Sequence, residues 1–202
     1  MKTFVLGCIA ALSLIVATPS LRAEAPVNKP APDFTLLGSD GKTHHLSDYK
    51  GKFVVLEWTN KDCPFVRKHY GSGNMQKLQK EYTAKGVAWL TIISSAPGKE
   101  GYVTASEANE VKEKQDSAPT AILLDSEGTV GRTYGAKTTP DMVVINPKGI
   151  VIYEGAIDDK PSADPADIAS AKNYLSSTLD AAMAGKPVTT PWTKSYGCSV
   201  KY

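Results

Sequence analysis

Cys63 is the residue whose type and position most directly predict chemistry. An apolar, β-branched run at 53–58 ends in a short polar turn, and Pro64 then suits the first position of a helix. A thiol at this junction faces free backbone N–H groups and the positive end of the helix dipole, which stabilise a thiolate. The thiolate is the nucleophile in disulfide exchange and in peroxide reduction, so the pattern predicts one of these reactions. A buried structural cysteine is the plainer alternative.

The N-terminal segment is typical of a secretory signal peptide. Lys2 supplies a positive charge, residues 4–16 form a short apolar stretch, and small residues follow. We expect residues 1–25 to be removed by cleavage after Ala23 or Ala25, which places the mature protein in the periplasm or outside the cell. The apolar stretch is too short to favour a stable membrane anchor.

Cys198 is the second thiol expected in the mature chain, because Cys8 leaves with the signal peptide. Four apolar or aromatic residues surround it, at Trp192, Tyr196, Val200 and Tyr202. They indicate a tail that packs on the protein body, whereas a frayed tail with a stray thiol is the simpler alternative. Two cysteines in an oxidising compartment favour a pair, and the 186–198 segment can span about 40 Å when extended. We therefore expect Cys198 to pair with Cys63.

Composition and charge favour one domain without a polyanionic partner. The chain has 202 residues, and 42% of them are hydrophobic, which is enough for a sizeable core. Loss of Lys2, Arg22 and Glu24 with the signal peptide changes the formal net charge from +2 to +1. Since no basic patch dominates, nucleic acid and anionic membranes are poor candidate partners. We expect one domain at 26–185, followed by a tail at 186–202.

Hydrophobic periodicity predicts alternating strands and helices that would position Cys63. The predicted strands are 34–37, 43–46, 53–58, 87–93, 120–124, 142–145 and 150–153. The predicted helices are 64–86 with a break at 71–73, 104–115, 130–134 and 164–185. Asn74 and Asp164 are the predicted N-caps after the break and in the last helix. The continuous apolar character of 53–58 is typical of a parallel strand covered on both faces.

The region around Cys63 resembles the active-site region of thioredoxin-like proteins, in which a hydrophobic strand precedes Cys-Pro and a helix. Thr139-Pro140 resembles the threonine–cis-proline pair that faces the reactive cysteine in that fold. The Ala-Pro-Asp-Phe sequence at 31–34 is similar to the start of exported redoxins, which are related to the alkyl hydroperoxide reductase and thiol-specific antioxidant branch. The resemblance covers about 31–184. It implies an α/β thioredoxin fold, a central mixed sheet flanked by helices, with an N-terminal β-hairpin and one inserted helix.

The resemblance also implies roles for individual residues. Cys63 becomes the nucleophile, and four neighbours become substrate-binding residues: Trp58, Pro64, Thr139 and Pro140. Trp58 would form a platform beside the thiol, and Thr139 would present its backbone to an incoming chain. The bond before Pro140 is expected to be cis. Core packing for Trp58 and a purely helical role for Pro64 are the plainer alternatives.

The sequence departs from the thioredoxin pattern at Val66, which occupies the position of the second cysteine in Cys-x-x-Cys. Cys198 then becomes the predicted resolving thiol for Cys63. The resulting hypothesis is an exported thiol–disulfide oxidoreductase that acts on protein thiols or disulfides and depends on an external thiol reductant. A non-catalytic binding module with a structural disulfide between the two cysteines remains open. No cofactor or metal is expected, because a soft metal would need another nearby sulfur or histidine.

A peroxiredoxin-like thiol peroxidase, with peroxide as substrate, is the main alternative. Its signature has a proline and a threonine or serine where this chain has Leu56 and Asn60. Peroxiredoxins also carry an arginine at the place of Pro140. Thr59 and Arg132 remain possible substitutes for the missing groups.

The charged residues after Cys63 give only weak evidence for a role in activating its thiol. His69 lies six residues further along the chain, beyond one turn of the predicted helix, so it is not well placed to activate the thiol. Lys68 could favour the thiolate through its charge. Arg67 could do the same, Asp62 would oppose it, and we expect most such charges to be solvated.

Overall fold

The computed structural model describes residues 27–202, so the predicted signal peptide at 1–25 lies outside the described residues. The strands are β1 Thr35–Gly38, β2 Thr43–His45, β3 Val54–Trp58, β4 Ala88–Ile93, β5 Ala121–Leu124, β6 Thr138–Thr139, β7 Asp141–Ile145, β8 Val151–Gly155 and β9 Cys198–Ser199. The α-helices are α1 Pro64–Gly71, α2 Asn74–Ala84, α3 Ala105–Lys114, α4 Thr129–Tyr134 and α5 Tyr174–Met183. Short 3-10 helices cover Leu46–Tyr49 and Pro165–Ser170. Within 27–202, no helix is long and apolar enough to cross a membrane.

A seven-stranded mixed sheet organises the molecule, in the order β2-β1-β5-β4-β3-β7-β8. The three inner strands β3, β4 and β5 are parallel, while β7 and β8 on one side and β1 and β2 on the other run antiparallel to their neighbours. The N-terminal hairpin β1–β2 forms one edge. This is the thioredoxin fold that the resemblance implied, with a central mixed sheet flanked by helices.

Strand β3 lies at the centre of the fold, and all five of its residues are buried. Alternate side chains of a strand point to opposite faces, so β3 contributes to two core layers. Leu56 and Trp58 belong to one layer together with Tyr134, whereas Val55 belongs to the other layer together with Cys63. The sheet therefore lies between the core layer that contains Cys63 and the core layer that contains Trp58.

The prediction of one continuous helix at 164–185 is wrong. Asp164 does cap a helical segment, since its Oδ1 accepts the Ala166 backbone N–H at 2.9 Å, but this segment is the 3-10 helix that ends at Ser170. Ala171 is extended, and Asn173 then caps α5 by accepting the Ser176 N–H at 2.8 Å. The second N-cap, at Asn173, interrupts the helix. The apolar periodicity of the sequence continues across this break and therefore conceals it.

The predicted N-cap at Asn74 is also displaced by one residue. Gly73 caps α2 with a left-handed backbone (φ +75°), and Asn74 is the first helical residue. The Asn74 side-chain amide instead contacts His69 Nδ1 at 2.9 Å. Glycine takes the left-handed conformation at little cost, so it carries the turn between α1 and α2 and leaves the Asn74 side chain available to α1.

Candidate active site

Cys63 is the N-cap residue of α1, at the junction that the sequence predicted. Pro64 takes the first helical position. The preceding turn is held by Asn60, whose backbone carbonyl accepts the Cys63 N–H at 3.1 Å and whose side chain accepts the Asp62 N–H at 2.8 Å. The Cys63 side chain itself is 0% exposed. The local sequence thus places a thiol at a helix N-terminus, beneath the protein surface.

Thr139 and Pro140 lie against this thiol. The Thr139–Pro140 peptide bond is cis, as expected. The Cys63 Sγ–H donates a hydrogen bond to the Thr139 carbonyl oxygen at 3.1 Å. The Thr139 hydroxyl is buried and has no hydrogen-bond partner among residues 27–202. The structure therefore brings together three of the predicted site residues, from two elements that are far apart in the chain.

Cys198 reaches the same point from the C-terminal tail. The two-residue strand β9 pairs antiparallel with β6, and Cys198 lies directly opposite Thr139. Cys198 is only partly buried, and both cysteines are free thiols. The Cys198 side chain is among the groups that lower the pKa of Cys63. The tail is therefore docked, with its cysteine beside the candidate nucleophile.

The two thiols have pKa values displaced in opposite directions. Burial alone would raise the pKa of Cys63, but hydrogen bonding to the Cys198 thiol and to the Val66 and Cys198 backbone N–H groups holds it below the usual thiol value. Burial raises the pKa of Cys198 to about 12, and its interactions with Cys63 add to the increase. The proton of the pair therefore resides on Cys198 when Cys63 is a thiolate.

The tail before Cys198 is held by strand β8. Trp192 forms a parallel bridge with Glu154, and Thr193 receives the Ala156 N–H on its hydroxyl at 2.9 Å. Gly155, with φ +138°, lies so close that a Cβ there would collide with the Thr193 carbonyl oxygen. Only a glycine fits such a backbone approach, so the body of the protein has a shape that accepts the tail.

The tail after Cys198 is also fastened. The Val200 N–H donates to the Lys137 carbonyl at 3.0 Å, and the Lys201 carbonyl accepts the Ala96 N–H at 2.8 Å. The ring of Tyr202 lies under the Arg132 guanidinium, 4.5 Å from its Cζ. Hydrogen bonds on both sides of Cys198 therefore limit how far its thiol can move from Cys63.

A buried group of charges lies beside α1, where the sequence analysis expected solvated residues. Lys68 is 1% exposed, and its Nζ lies 3.8 Å from Asp158 Oδ2 and donates to the Lys160 carbonyl at 2.8 Å. Lys68 is an exception to the expected solvation of these charges, because the loop after β8 folds over this face of α1 and supplies its partners. Burial lowers the pKa of His69 to about 4, so its ring is neutral near pH 7. Residues 27–202 contain no group of three or more His, Cys, Asp or Glu side chains that could hold a metal ion.

Glu57 is a second buried acid that the sequence analysis did not single out. Its carboxylate accepts hydrogen bonds from four side chains, at Tyr70 (2.7 Å), Gln79 (3.2 Å), Trp89 (2.7 Å) and Thr91 (3.1 Å). Burial nevertheless raises the pKa of Glu57 above its usual value. Glu57 precedes Cys63 by six residues and lies in the interior below the active-site turn. A carboxylate inside the otherwise apolar run 53–58 was the sequence signal for such a site.

Trp58 lies apart from the thiol. It is 1% exposed in the opposite core layer, its indole N–H donates to the Ser94 hydroxyl at 3.2 Å, and its ring lies 5.5 Å from that of Tyr134. The structure thus brings Pro64, Thr139 and Pro140 to the Cys63 side of the sheet and does not bring Trp58 there. The pleat explains this difference, since Trp58 points to the face opposite the neighbouring Glu57.

Comparison with known proteins agrees with this architecture. A thiol-disulfide oxidoreductase named ResA from Bacillus thuringiensis is 30% identical over 128 residues, which cover 63% of this chain and 68% of ResA. A selenocysteine-containing peroxiredoxin, PrxU from Peptoclostridium acidaminophilum, is 31% identical over 134 residues, or 62% of this chain and 64% of PrxU. A crystal structure of an uncharacterized conserved protein from Geobacillus kaustophilus superimposes with a TM-score of 0.74 at 27% identity, over 88% of this chain and 93% of that one.

The family assignment rests on a longer match than any single motif. The family model described as AhpC/TSA family matches residues 27–154, which run from the N-terminal hairpin through Cys63 and Pro140 to strand β8. The relatives ResA and PrxU are named as a thiol-disulfide oxidoreductase and a peroxiredoxin, which are both oxidoreductases. The chain therefore is an oxidoreductase that belongs to the AhpC/TSA family, within the thioredoxin superfamily.

Proposed function

We propose that this protein is an exported thiol–disulfide oxidoreductase with Cys63 as nucleophile and Cys198 as resolving thiol. The observation that carries the proposal is the convergence of both thiols on Thr139, which accepts the Cys63 S–H and pairs with Cys198. The opposite displacement of their pKa values supports a division of labour between the two sulfurs. The relative ResA, named as a thiol-disulfide oxidoreductase, supports the reaction class.

The reaction begins with attack by the Cys63 thiolate on one sulfur of a substrate disulfide. A Cys63–substrate disulfide forms, the substrate S–S bond breaks, and one substrate thiolate leaves. This step removes the negative charge of Cys63, which is one of the causes of the high pKa of Cys198. Cys198 therefore loses its proton more readily at the stage where its thiolate must attack Cys63. The second substrate thiolate then leaves, and the Cys63–Cys198 disulfide holds the two oxidising equivalents.

An external thiol completes the cycle by returning two electrons. With both thiols free, Cys198 is the more exposed residue, and Cys63 is the better leaving group because its pKa is the lower of the two. The reductant thiolate accordingly attacks Cys198 and displaces the Cys63 thiolate. A second reductant thiolate then attacks the mixed disulfide and releases Cys198 as a thiolate.

The docked tail restricts the first step. Cys63 has no exposed surface, and the edge of β6 that an extended substrate chain would use is already paired with β9. A protein disulfide must therefore displace the tail before it can reach Cys63. The N-terminal signal at 1–25 supports an extracytoplasmic location, where protein thiols and disulfides are the substrates in question.

Peroxide reduction is a second candidate function, because a small peroxide could reach Cys63 with less displacement of the tail. The Cys63 thiolate would attack one peroxide oxygen, the O–O bond would break, and water or an alcohol would leave. The resulting sulfenic acid would condense with Cys198 to a disulfide and water. The relative PrxU, named as a peroxiredoxin, belongs to this class. Against it, Arg132 is committed to the Tyr202 ring and to the Glu127 carbonyl, and Asn60 is committed to Glu100.

The test compares Cys63→Ser and Cys198→Ser in two assays that share one preparation and one reductant, dithiothreitol. The assays are insulin disulfide reduction and peroxide consumption, and Ser199→Ala serves as the control next to Cys198. Cys63→Ser should lose all turnover, since no thiolate remains to attack. Cys198→Ser should still attack but should accumulate a mixed disulfide with the substrate, visible by mass spectrometry.

The two assays also separate the candidate functions. A wild-type protein that reduces insulin faster than the buffer reductant, and consumes peroxide no faster than it, supports disulfide exchange. The reverse result assigns the peroxidase function. Full insulin reduction by Cys63→Ser would refute the proposal, and unchanged multiple turnover by Cys198→Ser would show that Cys198 is not the resolving thiol.

A further inference from the structure

Tyr196 is the tail residue that connects Cys198 with the buried charges beside α1. It precedes Cys198 by two residues, and both side chains pack on the core layer that contains Cys63. Tyr196 and Cys198 therefore enter the same face of the protein together.

The hydroxyl of Tyr196 completes the Lys68–Asp158 group. It donates a hydrogen bond to Asp158 Oδ1 and lies 3.4 Å from His69 Nε2. Burial and the bond to Asp158 raise the pKa of Tyr196, so the hydroxyl stays protonated and remains a donor. The other oxygen of Asp158 faces the Lys68 ammonium at 3.8 Å. The Asp158 carboxylate thus pairs with the buried Lys68 ammonium and also accepts a hydrogen bond from the tail residue Tyr196.

The ring of Tyr196 is held as firmly as its hydroxyl. It meets Phe65, the second residue of α1, edge to face at 5.9 Å between ring centroids. The Lys68 ammonium lies 5.6 Å from the centre of the Tyr196 ring. Both contacts come from the first turns of the helix that begins after Cys63. The helix that begins after Cys63 therefore also provides the surface on which the tail packs.

Gly197 links this anchor to the β9 strand. Its φ is +144°, and a Cβ at this position would collide with the Thr139 carbonyl oxygen. The chain between Tyr196 and Cys198 therefore passes directly over Thr139. Any movement of the Tyr196 anchor is transmitted through one residue to the Cys198 thiol.

We propose that Tyr196 is a positioning residue that holds Cys198 against Cys63 by docking in the site formed by Phe65, Lys68 and Asp158. This inference rests on the proposed function, because it assigns to Tyr196 the task of raising the effective concentration of the resolving thiol. Its docking also keeps the tail over Cys63. Tyr196 itself takes part in no bond-making step.

The experiment measures the equilibrium of the Cys63–Cys198 disulfide with glutathione in the wild type, in Tyr196→Phe and in Tyr82→Phe. Tyr196→Phe keeps the ring contacts and removes only the hydroxyl. Tyr82→Phe is the matched control, since its hydroxyl also bonds a carboxylate, that of Asp180, at 3.0 Å in another part of the molecule. Loss of a hydrogen bond to a charged group should lower the equilibrium constant for disulfide formation roughly tenfold in Tyr196→Phe. Tyr82→Phe should leave it unchanged.

A second measurement keeps the inference testable apart from the proposed function. In a Cys198→Ser background, the rate of Cys63 alkylation by iodoacetamide reports how often the tail uncovers Cys63. Tyr196→Phe should accelerate this reaction and Tyr82→Phe should not. An unchanged glutathione equilibrium or an unchanged alkylation rate in Tyr196→Phe overturns the positioning role. A wild type that forms no Cys63–Cys198 disulfide at any glutathione ratio refutes the resolving role of Cys198, and the alkylation rate alone then decides whether Tyr196 anchors the tail.

Discussion

Cys198 lies directly opposite Thr139 in the antiparallel β6–β9 pair, and the carbonyl of that same Thr139 accepts the Cys63 thiol. One residue therefore aligns both sulfurs of the candidate site. The arrangement replaces the short Cys-x-x-Cys spacing with a contact between distant parts of the chain, since Val66 occupies the position where thioredoxins carry the second cysteine. The position of the Cys198 thiol consequently depends on the contacts that hold the tail.

Gly197→Ala should weaken the contact between the two thiols. The new Cβ would collide with the Thr139 carbonyl, and alanine disfavours the backbone angle of φ +144°. Strain of this kind typically costs on the order of 1–3 kcal/mol, so disulfide formation against glutathione should fall roughly tenfold. The measurement is the glutathione equilibrium of the purified protein.

Gly185→Ala is the matched control for this substitution. Gly185 also has a left-handed backbone (φ +69°), but nothing lies within 4 Å of an added Cβ there. It should reduce overall stability without changing the glutathione equilibrium. Equal effects of the two substitutions on that equilibrium would mean that the approach of Gly197 to Thr139 is unimportant for pairing.

Cys198→Ala and Cys198→Ser should differ in the pKa of Cys63. A hydrogen bond from Cys198 helps to hold the pKa of Cys63 below the usual thiol value, and alanine removes this donor whereas serine retains a hydroxyl. The pKa of Cys63 should therefore be higher in the alanine variant. The measurement is the ultraviolet absorbance of the thiolate as a function of pH. An equal or lower pKa in the alanine variant would contradict the proposed hydrogen bond.

Asp141→Asn should change the pH dependence of stability. Burial, with a smaller contribution from the charge of Glu154, raises the pKa of Asp141 to about 7 in the folded protein, against 3.8 for the free side chain. The folded state therefore keeps a proton that the unfolded chain releases, and this contribution is full below about pH 4 and lost as the pH rises through 7. The total change is at most about 4 kcal/mol.

The measurement is guanidinium unfolding of the reduced wild type and of Asp141→Asn between pH 4 and 8. The wild type should lose stability relative to the variant as the pH rises. His69 acts in the opposite direction in this range, because burial lowers its pKa to about 4 and so penalises the folded state at low pH. Since His69 is present in both proteins, it cancels in the difference. A difference that does not vary with pH would show that Asp141 is ionised at low pH in the folded state.

The local parts of the site follow from residues that are close together in the sequence. The apolar run at 53–58, the turn and Pro64 specify a buried parallel strand followed by a helix, and they place Cys63 at its N-terminus. These features depend on residues adjacent in the chain, for which hydrophobic periodicity and helix-start signals are direct physical causes. The cis bond before Pro140 and the central mixed sheet flanked by helices followed from the family resemblance.

The contacts between distant residues depend instead on the assembled fold. The fold buries Lys68 against Asp158, turns Trp58 away from the thiol, and lays Tyr196 across α1. Each outcome depends on strand pleat, on loop placement or on backbone approach at Gly155 and similar points, none of which leaves a periodic pattern in the sequence. The proximity of Cys198 to Cys63 was expected from there being two cysteines, but its geometry arises from β9 pairing with Thr139, a contact that forms only after the whole sheet is assembled.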